Sequence, residues 1–163
     1  MFVIARALTY ATLFIGLIFI YLPGRLLAWA GISRPVLTGP QQIAGMVIGG
    51  IGAAIALWCV LTFAAIGKGT PAPFDPPRRL VSEGPYRFVR NPMYIGAILG
   101  LAGAAIFYGS LSLSIYAGAF SLAAHLFVVF YEEPTLGKSF GAEYEAYCQR
   151  VRRWVPGRTR SSN

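Results

Sequence analysis

The sequence predicts an all-α integral membrane protein: four transmembrane helices, the last two forming a C-terminal helical hairpin, then an interfacial amphipathic C-terminal helix. Three observations carry this. Of the 163 residues, 56% are hydrophobic and only 12% charged, about half the charge of an average soluble domain. The apolar residues gather in runs long enough to cross a hydrocarbon core, which takes about 20 helical residues. Nearly all the charge sits in the connections between those runs and in the tail.

The first run, residues 2–22, carries Arg6 near its start and ends at Pro23-Gly24. Ala28-Trp29-Ala30 has the form of a signal-peptide cleavage site, but the run has a single positive charge at its head, so a retained span is expected. The second run covers 41–67. The third begins at Pro92 and continues uncharged to Tyr131. At 1.5 Å per residue that stretch is about 60 Å long, or two spans. Tyr108-Gly109-Ser110 suits the turn between them, giving spans 92–109 and 111–131. Gly45 and Gly49, and Gly96 and Gly100, have the spacing by which small residues let helices approach in lipid.

After the fourth span, Leu136, Phe140, Tyr144, Tyr147, Val151 and Trp154 recur every three or four residues. This is the stripe of an amphipathic helix over 136–156. Such a helix either lies along the interface or packs as a lid over the loop 68–91; periodicity allows both. The whole chain, 1–163, reads as one membrane domain.

Lysine and arginine set the orientation. The loop 68–91 holds Lys68, Arg78, Arg79, Arg87 and Arg90, and the tail holds Lys138, Arg150, Arg152, Arg153, Arg158 and Arg160. The connection 23–40 holds only Arg25 and Arg34. The protein is therefore expected to be multi-pass with both termini cytoplasmic, in the inner membrane if bacterial. All six acids, Asp75, Glu83, Glu132, Glu133, Glu143 and Glu145, fall on that side. A net charge of +8 would suggest nucleic acid in a soluble protein. Beside apolar spans it points to lipid phosphates instead, and no nucleic-acid partner is expected. Cys59 and Cys148 cannot form a disulfide framework and are read as non-functional; no metal site is expected.

Chemistry is expected at the loop 68–91. Six of the eleven prolines fall at 71, 73, 76, 77, 85 and 92, holding an extended backbone with amides and carbonyls that no helix consumes. The loop leads through Gly84-Pro85-Tyr86-Arg87-Phe88-Val89-Arg90-Asn91-Pro92-Met93-Tyr94-Ile95-Gly96 into the third span. Tyr131-Glu132-Glu133-Pro134 ends the fourth. Phe140-Gly141-Ala142-Glu143-Tyr144-Glu145-Ala146-Tyr147 and Val151-Arg152-Arg153-Trp154-Val155-Pro156 follow.

This ordered set, over about residues 78–156, resembles the isoprenylcysteine carboxyl methyltransferase and phospholipid methyltransferase families of integral membrane enzymes. The resemblance implies an S-adenosylmethionine-dependent methyltransferase acting on a lipophilic acceptor at the cytoplasmic face. It implies a cofactor cleft lined by Arg78, Arg79, Leu80 and Val81, an aromatic near the cofactor at Tyr86, and an acidic pair at Glu132-Glu133. Asn91-Pro92-Met93-Tyr94 matches the families' His-Pro-x-Tyr element, with asparagine where many members have histidine. An amide donates and accepts hydrogen bonds but does not titrate near neutral pH.

Residue chemistry fits the same cofactor. Glu132 or Glu133 would pair with its ammonium, and Arg87 or Arg90 with its carboxylate. Tyr86 or Tyr94 would face the sulfonium or stack on the adenine. Acids at a helix C-terminus oppose the macrodipole, so the pair calls for a compensating partner. His125, the one histidine, lies within the fourth span, where ionisable groups are functional candidates. It sits about 11 Å from Glu132 on one helix face. His125 and Arg90 are the catalytic candidates. An amine acceptor needs a base, for which His125 is the candidate; a carboxylate acceptor needs none. Alternative readings are an NADPH-dependent membrane reductase of related architecture and a non-catalytic membrane subunit.

Overall fold

The computed structural model describes residues 12, 15–33, 35, 38–63, 65 and 80–157. Most of the first apolar run, Arg6, Lys68, Arg78, Arg79 and the tail arginines Arg158 and Arg160 lie outside the described residues. The described elements are helical: α1 (Gly16–Trp29), α2 (Pro40–Thr62), α3 (Pro92–Tyr108), α4 (Leu111–Phe140) and α5 (Ala142–Arg150), with a 3-10 turn at Gly84–Arg87. A single parallel bridge joins Val89 to Arg152 among the described residues.

Two helices, α2 with 23 residues and α4 with 30, are long and apolar enough to cross a membrane, whereas α1 and α3 are shorter apolar helices. Only 17% and 22% of the residues in the apolar windows of α2 and α4 are buried. A soluble core helix would be buried through most of its length. These helices instead turn Ile43, Val47, Ile51, Leu111, Ile115 and Leu122 outward, as lipid-facing surfaces do.

Helices α1 and α4 each contain a π turn that ends two residues before a proline. Gly16–Tyr21 precedes Pro23 in α1, and Val128–Glu132 precedes Pro134 in α4. A proline ring inside a helix collides with the carbonyl one turn back and offers no N–H. Widening the preceding turn relieves that conflict without ending the helix. In α1 the Ile18 carbonyl, which at π spacing would face the missing N–H of Pro23, accepts the Tyr116 hydroxyl at 3.0 Å.

The described residues divide into two compact units. One takes residues up to Ala53 with Ala97–Ser121; the other takes Ala54–Gly96 with the residues from Leu122 onward. In the first unit α2 and α3 meet at glycines. A Cβ on Gly103 would stand 2.5 Å from the Gly49 nitrogen and 2.7 Å from the Gly45 oxygen. The partner of Gly45 and Gly49 is thus Gly103. Gly100, expected from its spacing to make a close helix contact, faces open space. The turn falls where the sequence places it. Gly109 adopts φ +58°, its N–H bonds the Ile106 carbonyl, and the Ser110 N–H bonds the Ala105 carbonyl, a Schellman closure. Gln41 and Gln42 donate to the Ile106 and Phe107 carbonyls at 2.7 and 3.4 Å, serving groups that a helix end leaves unsatisfied.

The second unit differs from expectation in two places. The fourth helix does not stop at Tyr131 but runs to Phe140; the π turn carries it past Pro134. Nor is 136–156 one helix. Gly141, at φ +49°, separates α4 from α5, and Val151 is extended. The apolar stripe is nonetheless used, since Tyr144, Tyr147 and Val151 pack with Leu80, Leu136, Phe140 and Cys148. A second cluster joins Cys59, Val81 and Tyr86 to Ile55, Phe63 and Met93.

Candidate functional site

The site grows from the π turn of α4, which sets Glu132 and Glu133 among different partners. Glu133 is gripped by Arg153, whose Nε and Nη2 donate to its two oxygens at 2.8 and 2.7 Å. Arg90 Nη1 lies 3.3 Å from the same carboxylate and donates to Cys148 Sγ at 2.6 Å. Arg90 Nε is buried without a partner among the described residues. The hydrogen bond to Glu133 holds the Arg153 guanidinium above its ordinary range.

Backbone pairing delivers those arginines. The Arg90 N–H donates to the Arg152 carbonyl at 2.9 Å, beside the Val89–Arg152 bridge. The amide of Asn91, itself buried, donates to the Arg153 carbonyl at 3.3 Å. Residues 152–154 are therefore pinned alongside 89–91.

Glu132 has a different neighbour. The Tyr94 hydroxyl donates to its Oε2 at 3.0 Å, and Oε1 has no hydrogen bond among the described residues. Tyr94 meets Trp154 edge-to-face at 6.5 Å. The Trp154 indole N–H donates to His125 Nδ1 at 3.0 Å. An unbroken series of contacts thus runs from Glu132 through Tyr94 and Trp154 to His125.

Tyr86 forms the wall of the 3-10 turn. It is buried, stacks edge-on to Phe63 at 5.4 Å, and its carbonyl accepts the Tyr147 hydroxyl at 2.6 Å. Burial first, then the neighbouring Cys59, pushes its phenol well above the ordinary tyrosine range; Glu132 adds to the rise. Burial likewise raises Tyr144 and Tyr147.

Of the residues singled out by sequence, Tyr94, Glu132, Glu133, Arg90, Asn91 and His125 all fall within this network. Pro92 is buried as the first residue of α3, Met93 and Val81 pack with Cys59, and Leu80 packs beneath α5. Arg87 lies apart: it is exposed, its guanidinium 4.6 Å above the Phe88 ring. Arg78 and Arg79 lie outside the described residues. The acidic pair does have the compensating partners its placement demands, but they differ: two cations for Glu133, a phenol for Glu132. Arg153 and Trp154 are legible in the sequence only as an aromatic-basic motif in the tail. Their contacts span 20 and 29 positions of sequence, a range at which periodicity is silent.

No curated protein and no solved structure matches the chain. The family model described as phospholipid methyltransferase matches residues 40–143, a stretch that holds α2, the 3-10 turn, α3, all of α4 and both glutamates. On that match the chain belongs to the phospholipid methyltransferase family, a family of membrane methyltransferases.

Proposed function

We propose that this protein transfers a methyl group from S-adenosylmethionine to the head group of a lipophilic acceptor, at the cytoplasmic face of a membrane it crosses four times. The observation that carries the reading is the unequal treatment of the two acids. Glu133 is neutralised inside the protein, whereas Glu132 keeps one oxygen outside any hydrogen bond among the described residues. A half-buried carboxylate in that condition is suited to an ammonium ligand.

The described side chains fit the cofactor. Glu132 would take its ammonium, with Tyr94 fixing the carboxylate. The electron-rich faces of Tyr86 or Tyr94 would favour a sulfonium over water, a contact worth about 0.5–2 kcal/mol each. Arg90 is engaged by Glu133 and Arg87 lies apart, so no described cation is assigned to the cofactor's carboxylate. S-adenosylmethionine, when bound, supplies an electrophilic methyl on a positively charged sulfur. What the chain itself contributes is position and exclusion of water. Segment 80–90 is clamped by α5 through Tyr147, and 152–154 by Arg90, Asn91 and Glu133, so the acid and the aromatic wall are held before any ligand arrives. The lysine and arginine bias of the loop and tail supports the cytoplasmic side. The four apolar runs of the sequence support the count of spans.

The test is transfer of labelled methyl from S-adenosylmethionine to a lipid extract by the purified protein in detergent, with the labelled product identified. Lipid-soluble label that falls roughly 10- to 100-fold in Glu132→Gln is expected. Calorimetric binding of NADPH and not of S-adenosylmethionine would overturn the proposal.

A further inference from the structure

We propose that Trp154 fixes His125 in the neutral tautomer whose proton sits on Nε2, and that this N–H donates to an anionic oxygen in the acceptor's head group. The second half rests on the methyltransferase reading; the first half does not.

An indole N–H can only donate. A ring nitrogen 3.0 Å from Trp154 Nε1 must therefore present a lone pair, so Nδ1 is bare and a neutral His125 carries its proton on Nε2. Trp154 is not free to swing away. The backbone just before it is held by Arg90 and Asn91, the side chain of Arg153 is clamped on Glu133, and the indole packs on Tyr94. His125 itself is half-buried on an apolar helix. Its Nε2 has no partner among the described residues. An unpartnered N–H in an apolar setting is costly, and an oxygen of a ligand would satisfy it.

Two consequences follow. The lone pair a general base would use is already engaged, so His125 orients the acceptor and does not deprotonate it. And the group it orients bears oxygen: a phosphate in a phospholipid, or a carboxylate in a lipid acid.

His125 is the one histidine in the chain, so histidine labelled with nitrogen-15 yields a single imidazole by NMR in detergent micelles. The wild type is expected to show one tautomer, with Nε2 protonated and Nδ1 bare. Trp154→Phe is expected to relax to a mixture. A wild-type proton on Nδ1 would overturn the tautomer assignment without any variant being made. Phosphatidylethanolamine, oleate and oleylamine are then added in turn. A downfield move of the Nε2 proton with phosphatidylethanolamine alone assigns a phosphate, and with oleate alone a carboxylate. No move with either, or a move with oleylamine, defeats the head-group contact. In the transfer assay Trp154→Phe should raise KM for the acceptor roughly five-fold, the loss of one hydrogen bond, and leave KM for S-adenosylmethionine unchanged. The opposite pattern would refute the proposal. Absence of any methyl transfer would sink the functional reading, while the tautomer would still be decided by NMR.

Discussion

The unit around Gly103 and the unit around Glu133 are held together by opposite means. Among its described residues the first has no ion pair. Its helices approach until a Cβ on Gly103 would collide with the Gly49 nitrogen and the Gly45 oxygen, and its side-chain hydrogen bonds mostly finish the ends of helices. The second carries two ion pairs to one acid, a hydrogen-bonded second acid, and aromatic rings in edge or tilted contact, Tyr94 and His125 on Trp154 and Phe63 on Tyr86. In lipid, apolar side chains gain little by meeting one another, so packing without polar groups needs small residues. Charged groups there persist only when paired. Glu132 is the acid that keeps an oxygen outside that pairing, and this contrast is what separates scaffold from site.

The largest expected effect tests the scaffold. Gly103→Ala would place a carbon against the backbone of Gly45 and Gly49, which cannot yield as a side chain can. A loss of about 3 kcal/mol is expected for such overpacking, read as a lowered thermal midpoint in detergent. Gly100→Ala meets nothing and should be neutral or stabilising by up to about 1 kcal/mol on helix propensity. Equal effects at the two positions would erase the distinction.

Next come the two acids. Glu133→Gln leaves Arg90, already holding an unpartnered Nε, without its counter-charge. Stability should fall by roughly 3 kcal/mol, the lower end for breaking a buried pair, because the Arg153 side chain is 34% exposed. Glu132→Gln should change stability by less than about 1 kcal/mol, yet lower kcat/KM for S-adenosylmethionine roughly 10- to 100-fold, as the loss of a charged hydrogen bond does. The reverse pattern would exchange the two roles.

These residues also mark how far sequence reaches. The turn at Tyr108-Gly109-Ser110 and the acidic pair are local signals, and the structure carries both at the positions their residues indicate, whereas the first apolar run, expected to end at Pro23-Gly24, continues as helix to Trp29. Sequence reasoning misplaces the end of the fourth helix because Glu132-Glu133-Pro134 looks like a terminus. Charge and proline stop a helix only when the charge has no partner and the preceding turn cannot widen, and here both conditions fail. The same π turn two residues ahead of a proline recurs at Pro23, so proline within an apolar run is a usable sign of a widened turn. Gly103 escapes notice because four-residue spacing suggests Gly96 and Gly100. A crossing of two helices needs one point of close approach, and spacing on one helix does not say which glycine occupies it. Trp154 on His125 and Arg153 on Glu133 come from pairing between segments far apart in the chain, which only the folded backbone determines.

Alkaline pH should act on the polar unit through Tyr86, Tyr144 and Tyr147. Burial raises all three. Above the unfolded tyrosine value of about 10, the folded state therefore retains protons that the unfolded state gives up, and stability falls as pH rises. Below that value the contribution is constant. Tyrosinate absorbance should lag for these three and then appear in one step with loss of structure. Gradual, reversible ionisation of all the tyrosines with no loss of structure would show that they are not sealed in.

The smallest effects compare the two residues that precede helices α4 and α3. Ser110 caps its own helix: its Oγ accepts the Leu113 N–H at 3.3 Å, so Ser110→Ala should cost about 1 kcal/mol and leave methyl transfer unchanged. Asn91 holds the same position before α3 but turns its amide to the Arg153 carbonyl. Asn91→Ser keeps a residue that can cap and removes the longer reach. Stability should then hold within about 0.5 kcal/mol, while the segment bearing Trp154 loosens and activity drops roughly five-fold, one hydrogen bond's worth. If Asn91→Ser lost stability and kept its activity, Asn91 would belong with Ser110 as a cap, and the pinning of residues 152–154 would have to rest on Glu133 and the Arg90 backbone alone.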